Sequence, residues 1–307
     1  MKRLASILAI AIGLATSAGA STFGPLVSAA DLSAALETED AILLDIRNKG
    51  YEDGHVEGAL FAPYRLFRGP DENPGELVDV KRLEMSFEDL GLEYDLPIVI
   101  ISAGKTDTDF GSAARVYWTL KSTGFTDLSI LNGGQASWKA AGLPINKTVE
   151  SNFSSDLDLV FDTTWLATTG DVAAVVDGEA KALLVDSRPA AFYNGDKAHE
   201  VARQPGTVPT AINHSYLAFF EKGSPAISPI ADPAALKATL GVKEGTDTVS
   251  FCNTGHWAAT HWFALSELAG VENAKLYAGS MVEYSNTGHD MANTPGLLRN
   301  LISQIIN

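Results

Sequence analysis

Cysteine is almost missing from this chain: its 307 residues contain one, Cys252. A single thiol cannot close an internal disulfide, and it excludes the Cys-x-x-Cys pair of a disulfide oxidoreductase. Positive charge is scarce as well. Lysine and arginine total 22 against 38 aspartates and glutamates, a formal charge of −16. That balance argues against nucleic acid and against an anionic lipid surface as partners. It also gives no general attraction for small anions, so an anionic ligand would need donors in its own site. Long apolar runs are lacking too. No later segment reaches the roughly eighteen apolar residues of a membrane span, so no membrane anchor is expected.

The first residues read as an export signal. Lys2 and Arg3 form a short basic region, and Ala5 to Leu14 an apolar stretch too short to cross a bilayer. Ala18-Gly19-Ala20 has the small-residue cleavage pattern. Residues 1–20 are expected to be a signal peptide, and the mature protein to be exported to a periplasmic or extracellular space. Losing Lys2 and Arg3 would take the charge from −16 to −18. An unpaired thiol is a liability in an oxidising compartment, so its retention suggests that it is used.

The sequence is written twice. Ile42-Leu43-Leu44-Asp45-Ile46-Arg47 has a counterpart in Leu183-Leu184-Val185-Asp186-Ser187-Arg188. Both are short apolar runs ending in Asp-x-Arg, the pattern of a buried parallel strand. Ile98 to Ser102 answers to Val249 to Cys252, and each is followed by a helical pattern and a further strand ending in glycine. Self-similarity on this scale predicts two copies of one α/β unit, each a mostly parallel sheet with helices on both faces. The expected division is 21–142, a polar linker over 143–162, and 163–307. Ser102 falls where the second copy has Cys252, and the first loop reads as about five residues longer. One working site and one supporting half are therefore expected.

Cys252 ends a β-branched run and precedes a turn and a helix. A lone cysteine is more often a small buried apolar residue, but a strand–helix junction is where thiols are activated. Together with His55-Val56-Glu57-Gly58-Ala59, the two Asp-x-Arg strands and Leu131-Asn132-Gly133-Gly134 before Trp138, the chain resembles the tandem-domain rhodaneses over roughly 26–283. This family includes thiosulfate and 3-mercaptopyruvate sulfurtransferases. The resemblance implies a catalytic Cys252 that cycles through a persulfide. It implies a binding loop of Asn253, Thr254, Gly255, His256, Trp257 and Ala258, whose N–H groups cradle the outer sulfur. Backbone donors suit that task because they do not titrate, and Gly255 permits the tight curve. The donor would be a small anion, and the acceptor cyanide, sulfite, a thiol or a protein thiol. No metal or cofactor is implied.

Departures from the family pattern concern charge. Thiosulfate-using members commonly have Arg and Lys just after the cysteine, where this chain has Asn253 and Thr254. Phe192 replaces a further common arginine. The candidates to restore the charge are His256, Arg188 and Arg203. Asp186 and Arg188 are read first as a loop brace, as are Asp45 and Arg47. His55 is expected to order a loop, and Trp257 to wall the pocket or pack the helix start. A cysteine phosphatase would need an arginine at position 258, which is Ala258. A metal site of Cys252, His256 and His261 has an unusual spacing. A non-catalytic exported persulfide carrier or sulfur-binding module stays open as the alternative.

Overall fold

A computed structural model describes residues 22–296. The expected leader, 1–20, lies outside the described residues. The first unit contains β1 (Leu26–Val27), α1 (Ala29–Ala35), β2 (Ile42–Asp45), β3 (His55–Val56), β4 (Leu60–Phe61), α2 (Val80–Asp89), β5 (Ile98–Ile101), α3 (Asp107–Ser122), β6 (Leu128–Leu131), α4 (Gly134–Ala140) and β7 (Ile145–Asn146). The second contains β8 (Leu166–Ala167), α5 (Thr169–Val176), β9 (Ala182–Asp186), α6 (Ala190–Tyr193), β10 (Ile212–Asn213), α7 (Pro233–Leu240), β11 (Asp247–Phe251), α8 (Trp257–Phe263), β12 (Ala274–Tyr277) and α9 (Ser280–Asn286).

The expected duplication is present strand for strand. One sheet runs β1-β6-β5-β2-β4 and the other β8-β12-β11-β9-β10, and every pair in both is parallel. Side chains alternate along a strand, and here both faces are covered. In β5, Ile98 and Ile100 enter one apolar cluster while Val99 and Ile101 enter another. The inner clusters of the two units merge into a single core through Phe110, Trp118, Trp262 and Phe263. At its centre α3 packs on α8, with Tyr117 edge-on to Phe263 at 5.1 Å and Phe110 edge-on at 5.5 Å. The helices that follow the two matched strands thus form the domain interface.

Two expectations change. The loop after β5 is not longer than the loop after β11: α3 starts five residues past Ser102, as α8 starts five past Cys252. The extra length lies inside the helix. α3 is 16 residues of continuous α-helix, whereas α8 has 7 followed by a five-residue π-turn, Ala264–Leu268. Polar composition also disguised the segment 143–162. Its β7 pairs antiparallel with β3. Further on, Leu157 and Leu159 are buried in the core, and their N–H groups donate to the Glu88 and Glu84 carboxylates on α2. It runs as a strap along the first unit.

Candidate functional site

Cys252 follows the last residue of β11 and is 1% exposed. The turn that leads from it to α8 is held by a hydroxyl. Ser280 Oγ accepts from the N–H groups of Cys252 (3.0 Å) and Gly255 (3.1 Å), and it donates to the Tyr277 carbonyl (2.7 Å). Ser280 does so with φ +53°, in the left-handed region. Two of the loop amides expected to cradle sulfur are therefore already taken. Those of Asn253, Thr254 and His256 have no acceptor among the described residues. Gly255 is required twice over: its φ is +68°, and a Cβ there would stand 2.4 Å from the Ala278 carbonyl and 2.5 Å from Arg115 Nη1.

A cavity of about 280 Å³ opens over the thiol. Besides the loop itself it is lined by Arg68 and Thr108 of the first domain and by His199 of the second. A second cavity, about 560 Å³, opens at Ser102 and has no thiol. His256 lines both.

The expected charge-restoring residues do not restore charge. His256 Nε2 lies 2.8 Å from the Thr108 carbonyl, which can only accept, so Nε2 carries the proton. Nδ1 then accepts from the Tyr64 hydroxyl at 2.9 Å. Burial, with Arg68 adding to it, lowers the imidazole pKa to about 3, so His256 is neutral and cannot be the cation. Its place is a pin between domains, seated where Gly111 of α3 leaves room. Arg188 is 2% exposed and fully engaged by the Asp186 carboxylate, the Gly206 carbonyl and Asn253 Oδ1 (3.2 Å). It braces the loop through Asn253, with Thr207 capping the same carboxylate. Arg203 lines a different surface depression with Ser285 and Gly288, away from Cys252. Trp257 both walls the cavity and packs: it stacks on Tyr216 (5.1 Å, 9°), and its indole N–H donates to Thr108 Oγ1. Ala258 is buried in the core. In the first copy, Arg47 pairs with Asp45, and His55 stacks on Tyr51 and bonds its carbonyl.

The profile of the rhodanese-like domain matches residues 28–141 and again 169–287. The chain belongs to the rhodanese-like domain family. A protein of Synechococcus elongatus named "Putative thiosulfate sulfurtransferase" is 26% identical over 265 residues, covering 81% of this chain and 79% of that one. The Thermus thermophilus sulfur carrier protein TtuD is 27% identical over 267 residues, 82% and 87% of the two chains. Among solved structures, the Escherichia coli 3-mercaptopyruvate sulfotransferase SseA superposes with a TM-score of 0.71 at 22% identity, covering 84% of this chain and 98% of that one.

In this rhodanese-like pair, the residues that sequence reasoning missed are those the other domain contributes. Arg68 follows the short 3₁₀ turn Tyr64–Phe67, and Arg115 sits mid-α3. Arg68 Nη2 donates to the Thr254 carbonyl at 2.9 Å. Arg115 is 1% exposed and donates to the Gly75 carbonyl. No motif marks either. Ser280 was missed as well: the repeat as read from the sequence laid Gly134 against Gly279, whereas α4 begins at Gly134 and α9 at Ser280, so these two residues are the structural counterparts.

Proposed function

We propose that this protein is a sulfurtransferase working through a persulfide on Cys252. The carrying observation is the placement of its one thiol: at the end of a central strand, lining a cavity, in a loop that keeps backbone amides without an acceptor among the described residues. The thiolate attacks the transferable sulfur of a donor such as thiosulfate, whose S–S bond breaks with release of sulfite, or 3-mercaptopyruvate, whose C–S bond breaks with release of pyruvate enolate. The loop N–H groups take up negative charge on the new outer sulfur. A thiol, cyanide, sulfite or protein-thiol acceptor then removes that sulfur and returns the thiolate. Two covalent half-reactions predict ping-pong kinetics. Support comes from the tandem rhodanese-like fold and from relatives named for thiosulfate sulfurtransfer. The first copy, with Ser102 in the matching position, serves as the supporting half. The chain acts after export, which mapping the N-terminus of the mature protein to Ser21 would support.

Intact mass after incubation with donor tests the central step. Cys252 is expected to gain one sulfur, and an acceptor chase to remove it. A gain that no small acceptor removes would favour a persulfide carrier. No gain with either donor would defeat the reading.

A further inference from the structure

The larger cavity belongs to the first copy, and the sulfur chemistry proposed for Cys252 does not use it. Its volume, about 560 Å³, is that of a small-molecule site. It opens where β2 and β5 end: Ile46 and Arg47 follow the one, Ser102 and Ala103 the other. The carboxyl ends of parallel strands are where open α/β sheets take ligands. Two buried polar side chains on its walls have hydrogen-bonding capacity left over. Ser102 is 4% exposed, and its hydroxyl has no partner among the described residues. Gln135 is also 4% exposed, and its Nε2 donates to the Gly54 carbonyl at 2.6 Å. A carbonyl can only accept, so the orientation of the amide is fixed and Oε1 is left without a donor.

The charges around this cavity set a second requirement. Lys49, Lys105 and Lys139 line it, and none forms an ion pair among the described residues. Arg47 is there too, but Asp45 and the Gly54 carbonyl engage it. Of the two lining carboxylates, Asp109 already accepts from the Lys105 and Thr106 N–H groups at 2.8 and 3.0 Å, and Asp53 flanks Gly50 together with Arg47. The start of α3 is thus supplied with negative charge from within, while the three ammonium groups are not. They gather at one opening in a chain of net charge −16. An anion among them would offset their mutual repulsion. No reaction is expected here. The cavity has no thiol, and the imidazole on its wall, His256, has both nitrogens engaged by Thr108 and Tyr64, so it is no base for Ser102.

We propose that the first copy binds a small organic anion that also carries a hydroxyl group, a hydroxycarboxylate or a sugar phosphate, and that its occupancy is felt at Cys252. The anionic group lies among the three lysines. The ligand hydroxyl donates to Gln135 Oε1 and meets Ser102. The link to the thiol is the shared wall: His256 and Thr108 line both cavities, and His256 stands four residues after Cys252 in the thiol loop. An occupant packed on that wall restrains the loop and slows attack on the thiol by an outside reagent. Neither the site nor the link requires that sulfur be transferred, so both can fail or hold independently of the sulfurtransferase reading.

Calorimetric titration of the wild type with citrate, tricarballylate, glucose 6-phosphate and glucose tests the site. Tricarballylate is citrate without its hydroxyl, and glucose is the sugar phosphate without its charge. Citrate or glucose 6-phosphate is expected to bind with a dissociation constant below about 1 mM, and the tighter of the two tells carboxylate from phosphate. Loss of the hydroxyl or of the charge should weaken binding at least about fivefold. Lys105→Glu combined with Lys139→Glu, both at exposed positions, should weaken it at least about 20-fold, and the paired arginine exchanges should keep it within about threefold. Alkylation of Cys252 by uncharged iodoacetamide, read by intact mass, should slow about threefold or more at saturating ligand in the wild type, and not in the glutamate pair at the same concentration. Binding that survives the glutamate exchanges would overturn the site, as would no binding of either anion. Tricarballylate binding as tightly as citrate would overturn the role given to Gln135 and Ser102. Binding that leaves alkylation unchanged would overturn the link to the thiol.

Discussion

Ser280 is the position where the two copies differ most instructively. Its hydroxyl accepts from two loop N–H groups and donates to one carbonyl, and the residue is fully buried. Replacing it with alanine removes one donor and two acceptor contacts while φ stays at +53°. At about 1 kcal/mol net for each bond, the loss is about 3 kcal/mol. Glycine loses the same three bonds but relieves a left-handed backbone, worth about 1 kcal/mol, so Ser280→Gly should cost only about 2 kcal/mol. Urea unfolding followed by tryptophan fluorescence reads both. With a slope near 3 kcal/mol/M, the midpoint should fall by about 1 M for alanine and by about two-thirds of that for glycine. Sulfur loading of Cys252 should slow roughly tenfold in each variant, as the loop relaxes by about 1.4 kcal/mol from its working geometry. The reasoning is refuted if Ser280→Gly matches the wild-type midpoint, for then the hydroxyl holds nothing. The first copy could not have taken this route: a Cβ at Gly134 would stand 2.4 Å from the Ser102 carbonyl.

Four further outcomes are expected. Gly255→Ala places a methyl group against the Ala278 carbonyl and Arg115 Nη1 at a positive φ, so it should destabilise by more than about 2 kcal/mol and abolish loading; a stable, active variant would contradict the loop geometry. Burial lowers the His256 pKa to about 3 in the folded protein, against 6.5 for an ordinary histidine, so the stability it contributes is complete above pH 6.5 and is lost as pH falls from there toward 3. Its share is about 1.4 kcal/mol per pH unit, and His256→Gln should flatten the fall of the urea midpoint between pH 6.5 and 4.5. Cys252→Ser should end sulfur loading with an unchanged circular dichroism spectrum, while Ser102→Ala should leave loading within about twofold; a large loss in the second would give the first copy a chemical part.

Much of the fold was legible because its signals are local. The Asp-x-Arg strands, the thiol at a strand end and the double occurrence of both are readable from side-chain type and period. The loop-length difference was misread because the extra turn is helical, and a helix interior carries no marker for where a turn has been added. The strap over 143–162 was read as a linker because its polar residues outnumber Leu157 and Leu159, the two that bury. His256 was the sharpest miss. A histidine in a loop looks titratable in sequence, and only its enclosure between Tyr64 and Thr108 makes it a neutral hydrogen-bonding pin.

The two α/β copies, which of them holds the thiol, and which loop follows it were readable along the chain, because periodicity and residue type act over a few neighbouring positions. The charge of the site was decided by tertiary structure alone. Arg68 and Arg115 are 184 and 137 positions before Cys252 in the chain, yet Arg68 donates to the Thr254 carbonyl and Arg115 lies against Gly255. Electrostatic interaction depends on distance through space, which no spacing along the chain records.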